Sequence, residues 1–231
     1  MIREPRQVTS RRLLWLVVGA LGAAHLAPTA ARAAAEPRRQ VMDLARRAWD
    51  CARRAGEVDG PLLTVIDYSL PSTARRLWVM DMVARRVLWH ELVAHGEGSG
   101  DLDAVAFSNR PGSRCSSLGL FRTEDIYSGR HGASLRLEGL EPGINDKAMD
   151  RALVIHGASY VNPRVVAAFG RLGRSWGCPA LDRRVNRSII DRIRGGSAVF
   201  AYYPDARWLA SSRFLHCGQR LASGESSPAR P

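Results

Sequence analysis

Lysine is almost missing from this 231-residue chain: Lys147 stands alone beside 33 arginines. The arginines come in dispersed pairs, Arg46-Arg47, Arg53-Arg54, Arg75-Arg76, Arg85-Arg86 and Arg183-Arg184, with no dense run. The net charge of +12 therefore describes a basic surface and argues against a nucleic-acid partner, which needs its cations clustered. No C-x-x-C pair occurs among Cys51, Cys115, Cys178 and Cys217, so a structural zinc site is poorly supported. No apolar run reaches the ~20 residues of a spanning helix. Internal repeats and low-complexity domains are missing too. What is present, 45% hydrophobic residues in a chain of this length, suffices to bury a core and excludes disorder throughout.

The first 33 residues differ in character from the rest. A basic, polar stretch from Met1 to Arg12 precedes the apolar run Leu13 to Leu21, and an alanine-rich segment ends in Ala31-Arg32-Ala33. This is the pattern of a secretory signal with an A-x-A cleavage site, and it predicts export to the periplasm or cell envelope without stable membrane insertion of the remainder. Ser10-Arg11-Arg12-Leu13-Leu14 fits a twin-arginine signal as well as a Sec signal. Cleavage removes five arginines and one glutamate, so the mature chain stays basic and suits an anionic envelope polymer as partner. In an oxidising compartment four cysteines allow two disulfides. If Cys178 must remain a thiol, at most one bridge forms among Cys51, Cys115 and Cys217, and the sequence does not choose the pair.

Beyond the signal, Val41, Leu44, Ala45, Ala48, Ala52 and Ala55 recur at helical spacing, predicting one amphipathic helix within residues 34–60, stopped by Gly56. Short β-type runs follow: Leu62 to Leu70, Leu77 to Val83, Val87 to Ala94, Ala104 to Ser108, Ser117 to Thr123, Leu135 to Leu137, Ala152 to His156 and Ser197 to Tyr203, separated by Gly, Pro, Asn and Asp. They predict a mainly β domain over 61–207, a β-sandwich or partly closed barrel with a few flanking helices. One of those helices starts at Asp182, an N-cap, and runs through Ile193 to Gly195-Gly196. From Trp208 onward periodicity is lost, and 208–231 reads as a tail.

Chemistry concentrates in Arg174-Ser175-Trp176-Gly177-Cys178-Pro179-Ala180, preceded 22 residues upstream by Ile155-His156-Gly157. A thiol between Gly177 and Pro179 cannot sit in a helix or central strand, so it is presented in a turn. Nucleophilic sulfur needs an ionised or base-assisted thiol, and His156, ending an apolar strand, is the candidate base. The amides of Gly177 and Cys178 are candidate oxyanion donors. No acidic residue pairs obviously with His156, which leaves a backbone carbonyl to orient its ring. His95-Gly96 ends another strand and can line the same cleft, whereas His90, His131 and His216 read as structural or solvated.

Taken together, Leu153 to Ala158 and Gly173 to Pro179 resemble the H-G … S-x-G-C signature of YkuD-type L,D-transpeptidases, in the branch of murein L,D-transpeptidase catalytic domains. Ala106-Phe107-Ser108-Asn109, Ser116-Ser117-Leu118-Gly119-Leu120-Phe121, Tyr127 and Gly139 to Asp146 add to the likeness, which spans residues 62–204. The resemblance implies a cysteine acyltransferase: Cys178 as nucleophile, His156 as base, the Gly157 carbonyl orienting it, Gly177 in the oxyanion turn, and Arg174, Ser175, Trp176, His95 and Tyr127 around the substrate. It implies no metal or organic cofactor, peptidoglycan stem peptides as partner, and susceptibility to carbapenems. Trp176 and Ala180 depart from the common pattern, so the usual contact to the substrate carboxylate does not carry over, and Arg174, the nearest arginine, is the candidate to supply it. The same thioester resolved by water would make a carboxypeptidase or endopeptidase, and a dead site a wall-binding protein.

Overall fold

A computed structural model describes residues 36–217; the signal-like segment 1–33 and the last residues lie outside them. Eight strands, β1 (Leu62–Asp67), β2 (Arg75–Asp81), β3 (Arg86–Ala94), β4 (Gly119–Gly129), β5 (Gly132–Gly139), β6 (Val154–Ala158), β7 (Ala180–Asp182) and β8 (Ala198–Tyr202), close into a barrel in the order β1-β2-β3-β7-β6-β5-β4-β8. Of the two expected forms, then, the sheet adopts the barrel and closes fully. Closure leaves no unpaired sheet edge. Most neighbours are antiparallel, but β8 joins β1 and β7 joins β6 in parallel.

The barrel interior is filled by the alternate residues of each strand: Ile66, Leu77, Val79, Phe121, Leu135, Leu137, Ile155 and Val199 are all essentially inaccessible, while Leu63, Val65 and Leu120 point outward beneath the covering helices. β1 is buried along both faces because α1 (Arg39–Arg54) packs over β1 and β8. Its Val41, Ala45, Ala48 and Ala52 face the barrel while Arg46, Arg47, Arg53 and Arg54 stay exposed, the amphipathic split that the spacing predicts.

Several details differ from the sequence expectation and one agrees. Ala104 to Ser108 forms no strand; the missing strand is β7, whose three residues behind Pro179 are too few to carry a periodic signal. The 21 residues between β6 and β7 include α2 (Pro163–Phe169), begun by Asn162, whose side chain accepts from the amides of Arg164 and Val165 at 2.9 and 3.1 Å. α3 (Arg183–Ile193) starts where expected, with Asp182 accepting from the Arg184 amide at 2.9 Å. Finally, the packed fold continues past 207. α4 (Ala206–Ser211), capped by Asp205, places Trp208 against Phe200 and Tyr202, and Phe214 and Leu215 are buried behind it. A disulfide between Cys51 of α1 and Cys217, with Cα atoms 6.2 Å apart, ties this segment to the first helix. The tail looked structureless because one turn of helix and three scattered large side chains have no period.

A buried polar knot fixes the top of β4. Glu141 accepts from the Leu120 amide at 2.7 Å and from the Trp208 indole at 3.3 Å, and Asn145 donates to the carbonyls of Leu118 and Leu120. Burial raises the Glu141 carboxyl above its ordinary pKa. Each of these groups would cost free energy if buried without its partner, so the knot sets the register at which β4 enters the barrel.

Candidate active site

Barrel closure brings the two halves of the sequence signature side by side. β6 carries His156 and runs parallel to β7, with His156 opposite Ala180, two residues beyond Cys178. The turn before β7 is held by one side chain: the Ser175 hydroxyl donates to the Cys178 carbonyl at 2.6 Å and accepts from the Gly177 amide at 3.1 Å. Ser175 is buried, so its hydroxyl serves the turn and not the substrate contact expected of it. The Gly177 amide is thereby engaged as well, and of the two expected oxyanion donors the Cys178 amide is the one left to the site.

Gly177 has φ +120°, and a Cβ there would lie 2.7 Å from the Cys115 carbonyl, so only glycine fits this position. Gly96 is equally constrained from the other side, since a Cβ would meet Gly177 Cα at 2.7 Å. The chain after β3 forms a parallel bridge to the turn through Gly96 and Ser175. It is therefore Gly96 that reaches the site. The neighbouring His95 ring, expected in the cleft, is fully buried beneath it, with Nδ1 2.7 Å from the Arg76 guanidinium and Nε2 3.2 Å from the Gly100 carbonyl. Desolvation and Arg76 lower its pKa to about 4; facing a cation, it is a neutral spacer.

His156 is 2% exposed, and its Nδ1 lies 3.2 Å from the Gly157 carbonyl. A carbonyl only accepts, so Nδ1 carries the proton and Nε2 keeps its lone pair. The backbone orienter expected from the sequence is in place. Desolvation lowers the His156 pKa to about 4, the Gly157 hydrogen bond partly offsetting this and His131 and Arg130 adding to it. Burial likewise pushes the Cys178 thiol above its usual range, against the opposing pull of the Val154 backbone, Arg151 and Arg130. At neutral pH the resting pair is thiol and imidazole, both uncharged.

Several functional neighbours carried no sequence signal. His131, expected to be structural or solvated, stacks on His156 with ring centroids 4.3 Å apart; the β4–β5 hairpin, whose tip is Arg130-His131, folds over the site. Arg130 lies 5.0 Å above the Trp176 ring, and Arg114 lies 4.6 Å from the same ring. Trp176 is 57% exposed, so the ring and its two arginines form a cationic, aromatic surface beside the thiol. Arg151 donates to the carbonyls of Ser108 and Cys115 and to the Ser117 hydroxyl, pinning the 108–117 loop beneath the turn. Ser116 completes the support, donating to the Gly177 carbonyl at 3.1 Å and accepting from the Gly96 amide at 3.0 Å.

Two further expectations resolve differently. Arg174, proposed from the sequence to hold a substrate carboxylate, is paired with Asp101 at 2.7 Å and bonded to the Gly100 carbonyl. Tyr127 stands in the cross-strand row Tyr127–Ser134–His156, about 10 Å from His156 by two strand spacings, its ring covered by Arg136 at 4.3 Å. Cys115 is unpaired and donates to the Gly98 carbonyl at 3.1 Å. Among the described residues, no group of His, Cys, Asp and Glu is arranged to hold a metal ion, and no helix is long and apolar enough to cross a membrane.

Comparison with known proteins gives the same outline. No curated protein matches the chain in sequence. Solved structures of similar fold include an L,D-transpeptidase from Mycobacterium smegmatis, 15% identical over 62% of this chain and 59% of that one, with a TM-score of 0.38. Others are the L,D-transpeptidase from Xylanimonas cellulosilytica, 15% identical over 74% and 96% with a TM-score of 0.37, and the helical cell shape determining protein Pgp2 from Campylobacter jejuni, 12% identical over 81% and 66% with a TM-score of 0.43. The chain thus spans 59% of the length of the mycobacterial protein. The family model of the YkuD-type L,D-transpeptidase catalytic domain matches residues 33–202, all eight strands of the barrel and both halves of the signature, and the chain belongs to that family.

Proposed function

We propose that the protein is an exported peptidoglycan L,D-transpeptidase that forms 3→3 cross-links through a thioester on Cys178. The Cys178 sulfur attacks the carbonyl between the L-centre of meso-diaminopimelate and the terminal D-alanine of a stem peptide. The thiol proton passes to Nε2 of His156, the S–C bond forms, and the oxyanion is received by the Cys178 amide with the Arg151 charge nearby. Collapse breaks the C–N bond, and the His156 proton goes to the departing D-alanine amine. In the second half an acceptor diaminopimelate amine attacks the thioester, gives its proton to His156, and sulfur recovers that proton as it leaves.

The observation that carries this reading is the fixed tautomer of His156: a buried ring with Nδ1 committed to the Gly157 carbonyl keeps a lone pair for a thiol proton at neutral pH. The Cys51–Cys217 disulfide supports export to an oxidising compartment while Cys178 remains a thiol. Incubating the purified protein with disaccharide-tetrapeptide and separating products by mass tests the proposal. Cross-linked dimer with released D-alanine is expected. Tripeptide with D-alanine and no dimer would make the enzyme a hydrolase, and unchanged substrate would overturn the enzymatic reading.

A further inference from the structure

Six arginines stand by the cysteine turn or line a concavity beside His131, and four are already engaged. Arg114 pairs with Glu97 at 2.5 Å, Arg174 with Asp101 at 2.7 Å and Arg187 with Asp191 at 2.6 Å, while Arg151 is taken up by backbone carbonyls and serine hydroxyls. Arg130 and Arg183 differ: neither has a carboxylate partner among the described residues. Arg130 uses only its Nε, which donates to His131 at 3.0 Å, so the terminal nitrogens of its guanidinium stay available. Stacking on Trp176 holds the group in place over the turn.

These two cations line that concavity, together with His131, Gly157, Asn186 and the Asp191-paired Arg187, and no acidic side chain lines it. Its position follows from packing. Gly157 lets the start of α3 press against β6, since a Cβ there would stand 3.3 Å from Arg183 Cα and 3.2 Å from Asn186 Cβ. The hairpin tip supplies Arg130 from the opposite wall. A groove walled by two unneutralised guanidinium groups, beside the base and close enough to the thiol for Arg130 to act on its charge, suits a carboxylate, which guanidinium binds by paired hydrogen bonds.

We propose that Arg130 and Arg183 form the subsite for the free α-carboxylate of the residue that leaves the acyl donor, so that the enzyme selects donors by the charge at their C-terminus. The inference rests on the acyl-transfer reading above. In such a donor the terminal carboxylate belongs to the residue directly after the scissile carbonyl, about 3.8 Å of chain away. It is therefore the substrate anion nearest the thiol. Arg174, the nearer arginine in sequence, is neutralised by Asp101 and faces elsewhere, which is why Cys178 and its flanking residues do not reveal this subsite.

The test compares kcat/KM for disaccharide-tetrapeptide as the free acid and as the C-terminal carboxamide. Wild type is expected to prefer the acid by about tenfold or more, the scale of one charge-assisted pair. In Arg130→Gln combined with Arg183→Gln the preference falls to near unity, and Arg130→Lys alone keeps part of it. Any effect of these cations on the thiol or imidazole acts on both donors alike and cancels in the ratio, as does a loss of folded protein. Equal use of both donors by wild type, or a full preference retained by the double variant, overturns the subsite while leaving acyl transfer standing. Failure of wild type to consume either donor removes both the reading and the subsite built on it.

Discussion

His156 and Cys178 have both been moved away from the charged state, the imidazole down to about 4 and the thiol upward, and for the same first cause, burial. A thiolate–imidazolium pair at rest would require the reverse shifts. Proton transfer must then accompany attack, and two measurable consequences follow. The acidic limb of kcat/KM falls near pH 4 to 5, well below the ordinary imidazole value of about 6.5. Alkylation of Cys178 by iodoacetamide accelerates only above the usual thiol range; fast labelling at pH 6 would indicate an ion pair and contradict the neutral dyad. Because Cys178 lies in a turn and contributes little core volume, Cys178→Ala is expected to abolish turnover with thermal stability close to wild type. An active Cys178→Ala with an inactive Cys115→Ala would move the nucleophile to the other free thiol.

At the scale of elements, the cysteine turn depends on one hydroxyl. Ser175→Ala leaves the Gly177 amide and the Cys178 carbonyl without their partner, a cost of roughly 1–3 kcal/mol, and frees the turn to drift. A large fall in kcat with KM little changed is expected, and an unaltered kcat would show that the turn holds without its staple. The segment after β8 makes a second prediction: Trp208→Ala empties a site bounded by Phe200, Tyr202 and Glu141 and should destabilise by about 3–5 kcal/mol, where a free tail would give none. Legibility followed element length. α1 and α3 were readable because their apolar stripes run three turns with a stop or a cap, and the long strands because their runs are bounded by turn residues. β7, with three residues, and α4, with six, were not, because neither is long enough to repeat. The site split the same way. Cys178, His156 and the Gly157 carbonyl sit in the two halves of one sequence motif, whereas Arg130, His131 and Arg151 reach the site only through strand pairing and loop packing.

For the whole molecule, the two buried imidazoles link stability to pH. His95 and His156 both titrate near 4 in the folded state against about 6.5 unfolded. Between those values the unfolded chain binds more protons, so stability is complete above about pH 6.5 and declines as pH falls toward 4, by up to about 3 kcal/mol for each ring. Glu141, held above the carboxylate range, works in the opposite sense as one group against two. The midpoint of thermal unfolding is therefore expected to be lower at pH 4.5 than at pH 7; an equal or higher midpoint would mean that one of the rings is already protonated in the folded state.

The Cys51–Cys217 bridge closes a loop of 166 residues and stabilises the fold by about 5 kcal/mol on the loop-entropy scale, while Cys178 takes no part in it. That separation leaves a single thiol in the site to carry the proposed thioester. Intact-mass measurement of the non-reduced protein after brief incubation with disaccharide-tetrapeptide tests it most directly. One added disaccharide-tripeptide per chain is expected, mapped to Cys178 and missing from Cys178→Ala. D-alanine release or cross-linked product without any such adduct, or the same adduct on Cys178→Ala, would contradict it.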